Sequence, residues 1–282
     1  MLIGSRPPPA ATTAQATSAR AEAASFDPKN PQDVQALARK YAPIRYMHPD
    51  EQYKPGDPLD FIQSSRVREH RSFWPDRTPD GFDEGEIDPA KLKGMQKDNL
   101  YLDLKDTDAA RRGNVAGSPT LYQYDEKSNT MTYWFFYPYN KGPGPGNLNH
   151  EGDWERVTVQ FDAQQKPTEV RYSSHTGSVS RSWKDAPKEN GRPVVYVAEG
   201  SHANSPDTKT KTLVDVAGIP IAQDHFGRGQ RVDSARQEFR DVKAEPWYGT
   251  RVHWGERGKL AAVGQTFTSG PSGPSSTKGP LL

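Results

Sequence analysis

The first periodic stretch lies just inside the N-terminal end, where Val34, Leu37, Ala38 and Tyr41 fall at i, i+3, i+4 and i+7 and share one helical face. Asn30 stands where an N-cap belongs, Pro31 suits the first helical position, and Pro43 stops the helix. Pro43, Pro49, Pro55 and Pro58 then exclude long regular structure over residues 42–59, a segment that Tyr46, Tyr53 and Phe61 are placed to pin to the core. Residues 76–108 carry many Asp and Glu side chains and read as a solvated surface loop.

From Thr120 the pattern changes to short β-branched and aromatic runs. Residues 120–124 and 131–137 read as a hairpin around a polar turn, and residues 156–161, 168–173 and 193–198 as three further strands. A short helix is possible at residues 234–239, close to an aromatic group of Trp247, Tyr248 and Trp254. With one convincing helix and none between the strands, the expected fold is mainly β: an antiparallel β-sandwich with one short N-terminal helix and long loops. The expected division is a disordered leader at 1–28, a single β-sandwich domain at 29–262, and a Gly/Pro/Ser-rich tail or strap at 263–282.

Composition sharpens this in three ways. The chain has 24 Gly and 25 Pro in 282 residues, which favours short elements and much loop. It has no cysteine, so disulfides, zinc ribbons and thiolate catalysis are excluded, and any bound ion must be held by His, carboxylate, carbonyl or water. A net charge of +1 offers no field for nucleic acid, so no nucleic-acid partner is expected. The strongest apolar run, residues 131–139, is too short to span a bilayer and is interrupted by Thr132 and Pro138, so no transmembrane segment is expected. The leader lacks the apolar core of a secretory signal, leaving export by a non-Sec route or a cytoplasmic location.

The candidate chemistry centres on Asn149-His150-Glu151-Gly152-Asp153-Trp154-Glu155, which runs into the strand at 156–161. Alternate strand residues share a face, so Asp153 and Glu155 point the same way as Val157, Val159 and Phe161. Two carboxylates at the mouth of an apolar face need a counter-charge. A divalent cation supplies one, with His150 able to swing towards it across Gly152; an oxygen-rich set with one imidazole suits Mg, Ca or Mn better than Zn. Spacing alone leaves the other reading open, that Arg156 or another base pairs with the carboxylates. Ser201 and His202 adjoin but point to opposite faces, against a nucleophile–base pair, and no G-x-S-x-G elbow occurs. His202, His175 and Glu199 remain candidate ligand-binding residues. The Gly142-Pro143-Gly144-Pro145-Gly146 run lacks amide donors at its prolines and reads as a water-facing loop over His150, not a phosphate cradle.

The aromatic run, loop and heptad at residues 131–161 resemble the necrosis-inducing protein family, whose signature is G-H-R-H-D-W-E. His150, Asp153, Trp154 and Glu155 match it, whereas Asn149, Glu151 and Gly152 depart from it. The resemblance implies a divalent cation held by His150, Asp153 and Glu155 together with a preceding Asp, at whose position this chain has Asn140. The neutral amide removes one negative charge and implies weaker affinity or a different ion. A family of vacuolar protein sorting-associated proteins carrying H-E-G-D-W-E is closer. It is similar also at Lys40-Tyr41-Ala42-Pro43, at His48-Pro49-Asp50-Glu51-Gln52-Tyr53, at Ser174-His175, at residues 195–203 and at Trp254-Gly255. The functional expectation is a cation-dependent β-sandwich recognising a lipid head group or glycan at a membrane surface, with Trp183 and Trp247 available for docking unless they are core. The alternatives are a metal-dependent hydrolase of an ester or phosphodiester, with a carboxylate or His175 as base, and a structural ion in an interaction module.

Overall fold

The computed structural model describes residues 26–71, 73–82, 87–143, 149–174, 177–256 and 270–274. Most of the leader, His175, residues 144–146 of the 142–146 run and much of the tail lie outside them. The helix forms as the periodicity predicts, over Pro31–Tyr41, with the Asn30 side chain accepting a hydrogen bond from the Gln32 amide and Val34, Leu37, Ala38 and Tyr41 buried.

The largest sheet has six strands in the spatial order Phe239–Asp241, Thr120–Asp125, Thr130–Asn140, His150–Phe161, Pro167–Ser174 and Gly177–Ser182. The predicted hairpin forms its second and third strands, paired antiparallel from Leu121 opposite Trp134 to Asp125 opposite Thr130. This sheet is covered on both faces, which explains the unbroken aromatic run at its middle strand. Tyr133, Phe135 and Tyr137 turn to one side, joining Val157, Val159 and Phe161 against the helix and Val195, Val197 and Val232 of a second sheet. Phe136 turns to the other side, where Trp247, Trp254, Phe61, Leu102 and Leu104 are buried.

The second sheet orders Asn204–Ser205, Arg192–Val197, Ile44–Tyr46 and Arg231–Asp233, with Lys188–Glu189 pairing beside Arg192–Val197. A third orders His253–Trp254, Leu100–Leu104 and Ser65–Glu69, and a separate hairpin is formed by Lys211–Val216 and Ile219–Asp224. The fold is thus mainly β with few helices, as expected, but the sheets are mixed. Ile44–Tyr46 runs parallel to Arg192–Val197, Phe239–Asp241 to Thr120–Asp125, and His253–Trp254 to Leu100–Leu104. The acidic segment 76–108 is more ordered than a surface loop: it contains the helix Pro89–Lys93 and the strand Leu100–Leu104, because Leu100, Leu102 and Leu104 have the Trp247 and Trp254 side to bury against. Trp247 is core, fully buried, and so does not serve docking; Trp183 packs edge-on against Tyr41.

Candidate functional site

The strand His150–Phe161 carries the heptad itself. Gly152 adopts φ +61°, and a Cβ there would lie 2.2 Å from the Trp254 carbonyl oxygen, so only glycine fits. Beyond it the alternation holds: Asp153, Glu155, Val157, Val159 and Phe161 are buried, while Trp154 faces Phe136, Trp247 and Trp254 with ring centroids 4.8, 5.4 and 5.1 Å away.

Asp153 and Glu155 are 3% and 4% exposed and open a closed polar set. Asn140, at the end of the neighbouring strand, donates from Nδ2 to Asp153 Oδ2 at 3.1 Å and to the Ser201 carbonyl at 3.2 Å. His202 places Nδ1 2.9 Å from Asp153 Oδ2 and Nε2 3.0 Å from the Tyr53 carbonyl and 3.7 Å from Glu51 Oε2, while its ring stacks on Tyr137 at 3.8 Å and 7°. The backbone of His202 sits at φ +58°, a conformation that costs energy outside glycine and is held here by engagement of both ring nitrogens. Glu51 also receives the amides of Tyr53 and Gly200, each at 2.6 Å. Asn204 donates to Glu155 Oε2 at 3.0 Å, and Ser201 donates to Asp224.

Charge is unevenly matched in this set. Burial alone would lower the His202 pKa, but the hydrogen bonds and charges of Asp153 and Glu51 outweigh it and raise it to about 9. Glu51 goes the other way: burial opposes its ionised form, and His202 with the two amides holds it below the ordinary carboxylate range. Glu155 is pushed well up by burial first, then by the charges of Asp153 and Asp224. Four buried carboxylates, Glu51, Asp153, Glu155 and Asp224, gather around the His202 imidazolium, and the Arg156 charge also acts on Glu155. Asn204 adds a buried carbonyl oxygen, Oδ1, with no hydrogen-bond partner among the described residues. An acidic set with an orphaned acceptor carbonyl fits a hard cation.

Of the sequence candidates, the structure gathers Asn140, Asp153, Glu155 and His202. His150 is half-buried beside them with Nδ1 2.8 Å from the Gly152 carbonyl oxygen. Glu199 lies outside the closed set, Oε2 3.7 Å from His48 Nδ1. His175 is outside the described residues. Ser201 and His202 diverge as their adjacency predicts, to Asp224 and Asp153. Glu51, Asn204 and Asp224 were not singled out as site residues; Glu51 lies in the His48–Tyr53 motif and Asn204 directly follows the 195–203 motif, which is the signal that pointed to them.

Two clefts flank the motif. One of about 330 Å³, lined by Lys141, Glu199, Gly200, Ile221, Gln223 and His225, borders the turn that carries Ser201 and His202. The other, about 690 Å³, is lined by Arg66, Asp103, Lys105, Arg111, Glu151 and Glu256. Glu151 accepts the Leu104 amide there at 3.0 Å, and burial raises its pKa to about 7.

The family model described as vacuolar protein sorting-associated protein 62 matches residues 17–253. No curated protein matches the chain. Among solved structures, Necrosis and Ethylene inducing Protein 2 from the causal agent of cocoa's Witches Broom disease is 13% identical, with a TM-score of 0.37 and 73% of each chain covered. NLPPya in complex with glucosamine is 13% identical, with a TM-score of 0.39 over 78% of this chain and 77% of that one. NLPPya in complex with mannosamine is 15% identical, with a TM-score of 0.39 over 77% of each.

Proposed function

The chain belongs to the vacuolar protein sorting-associated protein 62 family, and from that premise we propose that it is a divalent-cation-dependent binding protein that recognises a lipid head group or glycan in the cleft beside Glu199 and His225. The observation that supports the cation is the gathering of the buried carboxylates Glu51, Asp153, Glu155 and Asp224, with Asn204 Oδ1 beside them without a hydrogen-bond partner among the described residues. Asp153, Glu155 and the Asn140 carbonyl would hold the ion, with His150 reaching it through Nε2, since Nδ1 is turned to the Gly152 carbonyl. Mg, Ca or Mn suits this set better than Zn. A bound ion supplies charge neutralisation that otherwise falls to a proton on Glu155.

The cleft supports the ligand class. It mixes a cation, a carboxylate, an amide and an imidazole with Pro220 and Ile221, a lining suited to a polyhydroxylated or charged head group. Its turn is tied to the ion set through Gly200, Ser201 and His202. A purely structural ion is the second reading, favoured by burial: at 0–4% exposure the set lies out of a ligand's direct reach. A hydrolase needs a water-open ion beside a base, and nothing in this set favours it.

Stripping the protein with chelator and refilling it separates the two readings. Under the first, binding to glucosamine, mannosamine or vesicles carrying phosphatidylinositol or glycosylated lipid is lost with the ion and returns with it. Under the second, only the melting temperature falls. If Asp153→Asn leaves ion content, melting temperature and binding unchanged, the assignment is wrong.

A further inference from the structure

A second constellation lies just outside the closed set and is built by the parallel pairing of Ile44–Tyr46 with Arg192–Val197. Tyr46 is opposite Tyr196 and both strands leave the sheet in the same direction, so the turn after one emerges beside the turn after the other. His48 and Asp50 stand in the first turn and Glu199 in the second. The Glu51 carboxylate, bonded to the amides of Tyr53 and Gly200, clamps the two turns together. Gly227 and Gly229 pack against Pro49 so closely that a Cβ would fall 2.5 and 2.7 Å from it, which fixes the loop from behind.

We propose that His48, Asp50 and Glu199 form a second divalent-cation site, open to solvent at the rim of the 330 Å³ cleft. His48 Nδ1 lies 3.8 Å from Asp50 Oδ2 and 3.7 Å from Glu199 Oε2, and one ligand atom from each of the three falls within 4.8 Å of the others. Those distances are too long for hydrogen bonds, so the three groups converge without bonding one another through their side chains. A first-row ion at roughly 2.0–2.2 Å from each ligand brings neighbouring ligand atoms to about 3 Å apart, which asks each carboxylate to move by less than about 1 Å. Both can: the side chains of Asp50 and Glu199 are 78% and 45% exposed, while the imidazole is anchored at 15%.

Two further observations point the same way. The Asp50 amide donates to His48 Nδ1 at 3.2 Å, which makes that nitrogen an acceptor, and an ion would take up its lone pair in place of this long hydrogen bond. Neither carboxylate is paired with a Lys or Arg among the described residues, so His48 alone stands between them. With three protein ligands, one of them an imidazole, the site suits Mn better than Ca, which takes six to eight oxygens. Three protein ligands leave positions for water or ligand oxygens, and Glu199 also lines the cleft. An ion here can touch a ligand in that cleft, which an ion among Asp153, Glu155 and Asn140 cannot. The site stands without the buried ion; only its role in ligand contact rests on the proposed cleft.

The test is Mn titration of the full chain, counting free Mn by electron paramagnetic resonance and following water-proton relaxation. The expected result is a saturable site whose affinity falls at least tenfold, with its relaxation enhancement, in both His48→Gln and Glu199→Gln but not in Asp153→Asn. Glu199→Gln lies on an exposed side chain and carries the test if His48→Gln fails to fold. The proposal is overturned if the only saturable Mn is the one that Asp153→Asn removes, or if saturable Mn binding is indifferent to Glu199→Gln. Loss in Asp153→Asn alone upholds the buried site and refutes this one; loss in the His48 and Glu199 variants alone does the reverse.

Discussion

Replacing Gly152 by alanine tests the geometry on which the whole motif depends. The residue sits at φ +61°, which for an L side chain costs roughly 1–2 kcal/mol. The new Cβ would also lie 2.2 Å from the Trp254 carbonyl oxygen and 2.9 Å from Trp254 Cβ, contacts that no rotamer relieves because one of them is backbone. Forcing an added carbon into packed surroundings costs typically about 1–3 kcal/mol. Together the two effects predict a loss of about 2–5 kcal/mol, or roughly 4–20 °C in melting temperature for a chain of this size. Gly218→Ala is the internal control: it has φ +80° in the turn of the outlying hairpin and nothing within 4 Å of the added Cβ, so only the left-handed cost remains, about 1–2 kcal/mol. Thermal and denaturant unfolding of the two variants side by side isolates the contact. If Gly152→Ala costs no more than Gly218→Ala, the close approach of residues 151–152 to 254–255 is wrong, and with it the placement of Asp153 and Glu155.

Two further perturbations follow from the same structure. His202→Phe keeps a ring to lie on Tyr137 but leaves Asp153 and Glu51 facing each other without the imidazolium, and should cost roughly 3–5 kcal/mol in chemical denaturation; a loss below about 1 kcal/mol would mean that the histidine does not neutralise them. Arg192 holds Asp233 through two hydrogen bonds, of 2.6 and 2.8 Å, with Arg231 nearby, and lowers its pKa; the stabilisation is therefore complete above the unfolded carboxylate pKa of about 4 and lost as pH falls through the lower folded value. Asp233→Asn should accordingly be less stable than the parent at neutral pH and converge with it in acid, and a constant difference across that range would refute the pairing.

What was legible in the sequence was local. Asn30, Pro31 and the i, i+3, i+4, i+7 face specified the helix, and the aromatic alternation specified the central hairpin, because in both cases the residues that decide the structure are neighbours. The parity of Asp153 and Glu155 was legible for the same reason. Ile44–Tyr46, Phe239–Asp241 and His253–Trp254 are two or three residues long and each pairs in parallel with a strand far away in the chain, so no window of sequence contains their cause. Leu100-Tyr101-Leu102-Asp103-Leu104 was hidden by its acidic surroundings, although its leucines alternate as a strand requires. His202 was legible as a polar candidate but not as the partner of Asp153, since its role depends on a left-handed backbone that propensity assigns to glycine.

The tryptophan in the heptad explains why the carboxylates can be buried at all. A strand that slips by one residue exchanges its two faces. Here such a slip would carry Asp153 and Glu155 into the cluster of Phe136, Trp247 and Trp254 and turn Trp154 towards His202 and Asn204. Unpaired carboxylates in an aromatic core cost several kcal/mol each, so the wrong register is penalised on both faces at once. The alternation of acid, tryptophan and acid therefore sets the register of its own strand, and Gly152, pressed against Trp254, fixes where that register begins. The stability of the aromatic side is what holds repelling carboxylates together on the polar side, where the proposed cation would take the place of a proton on Glu155.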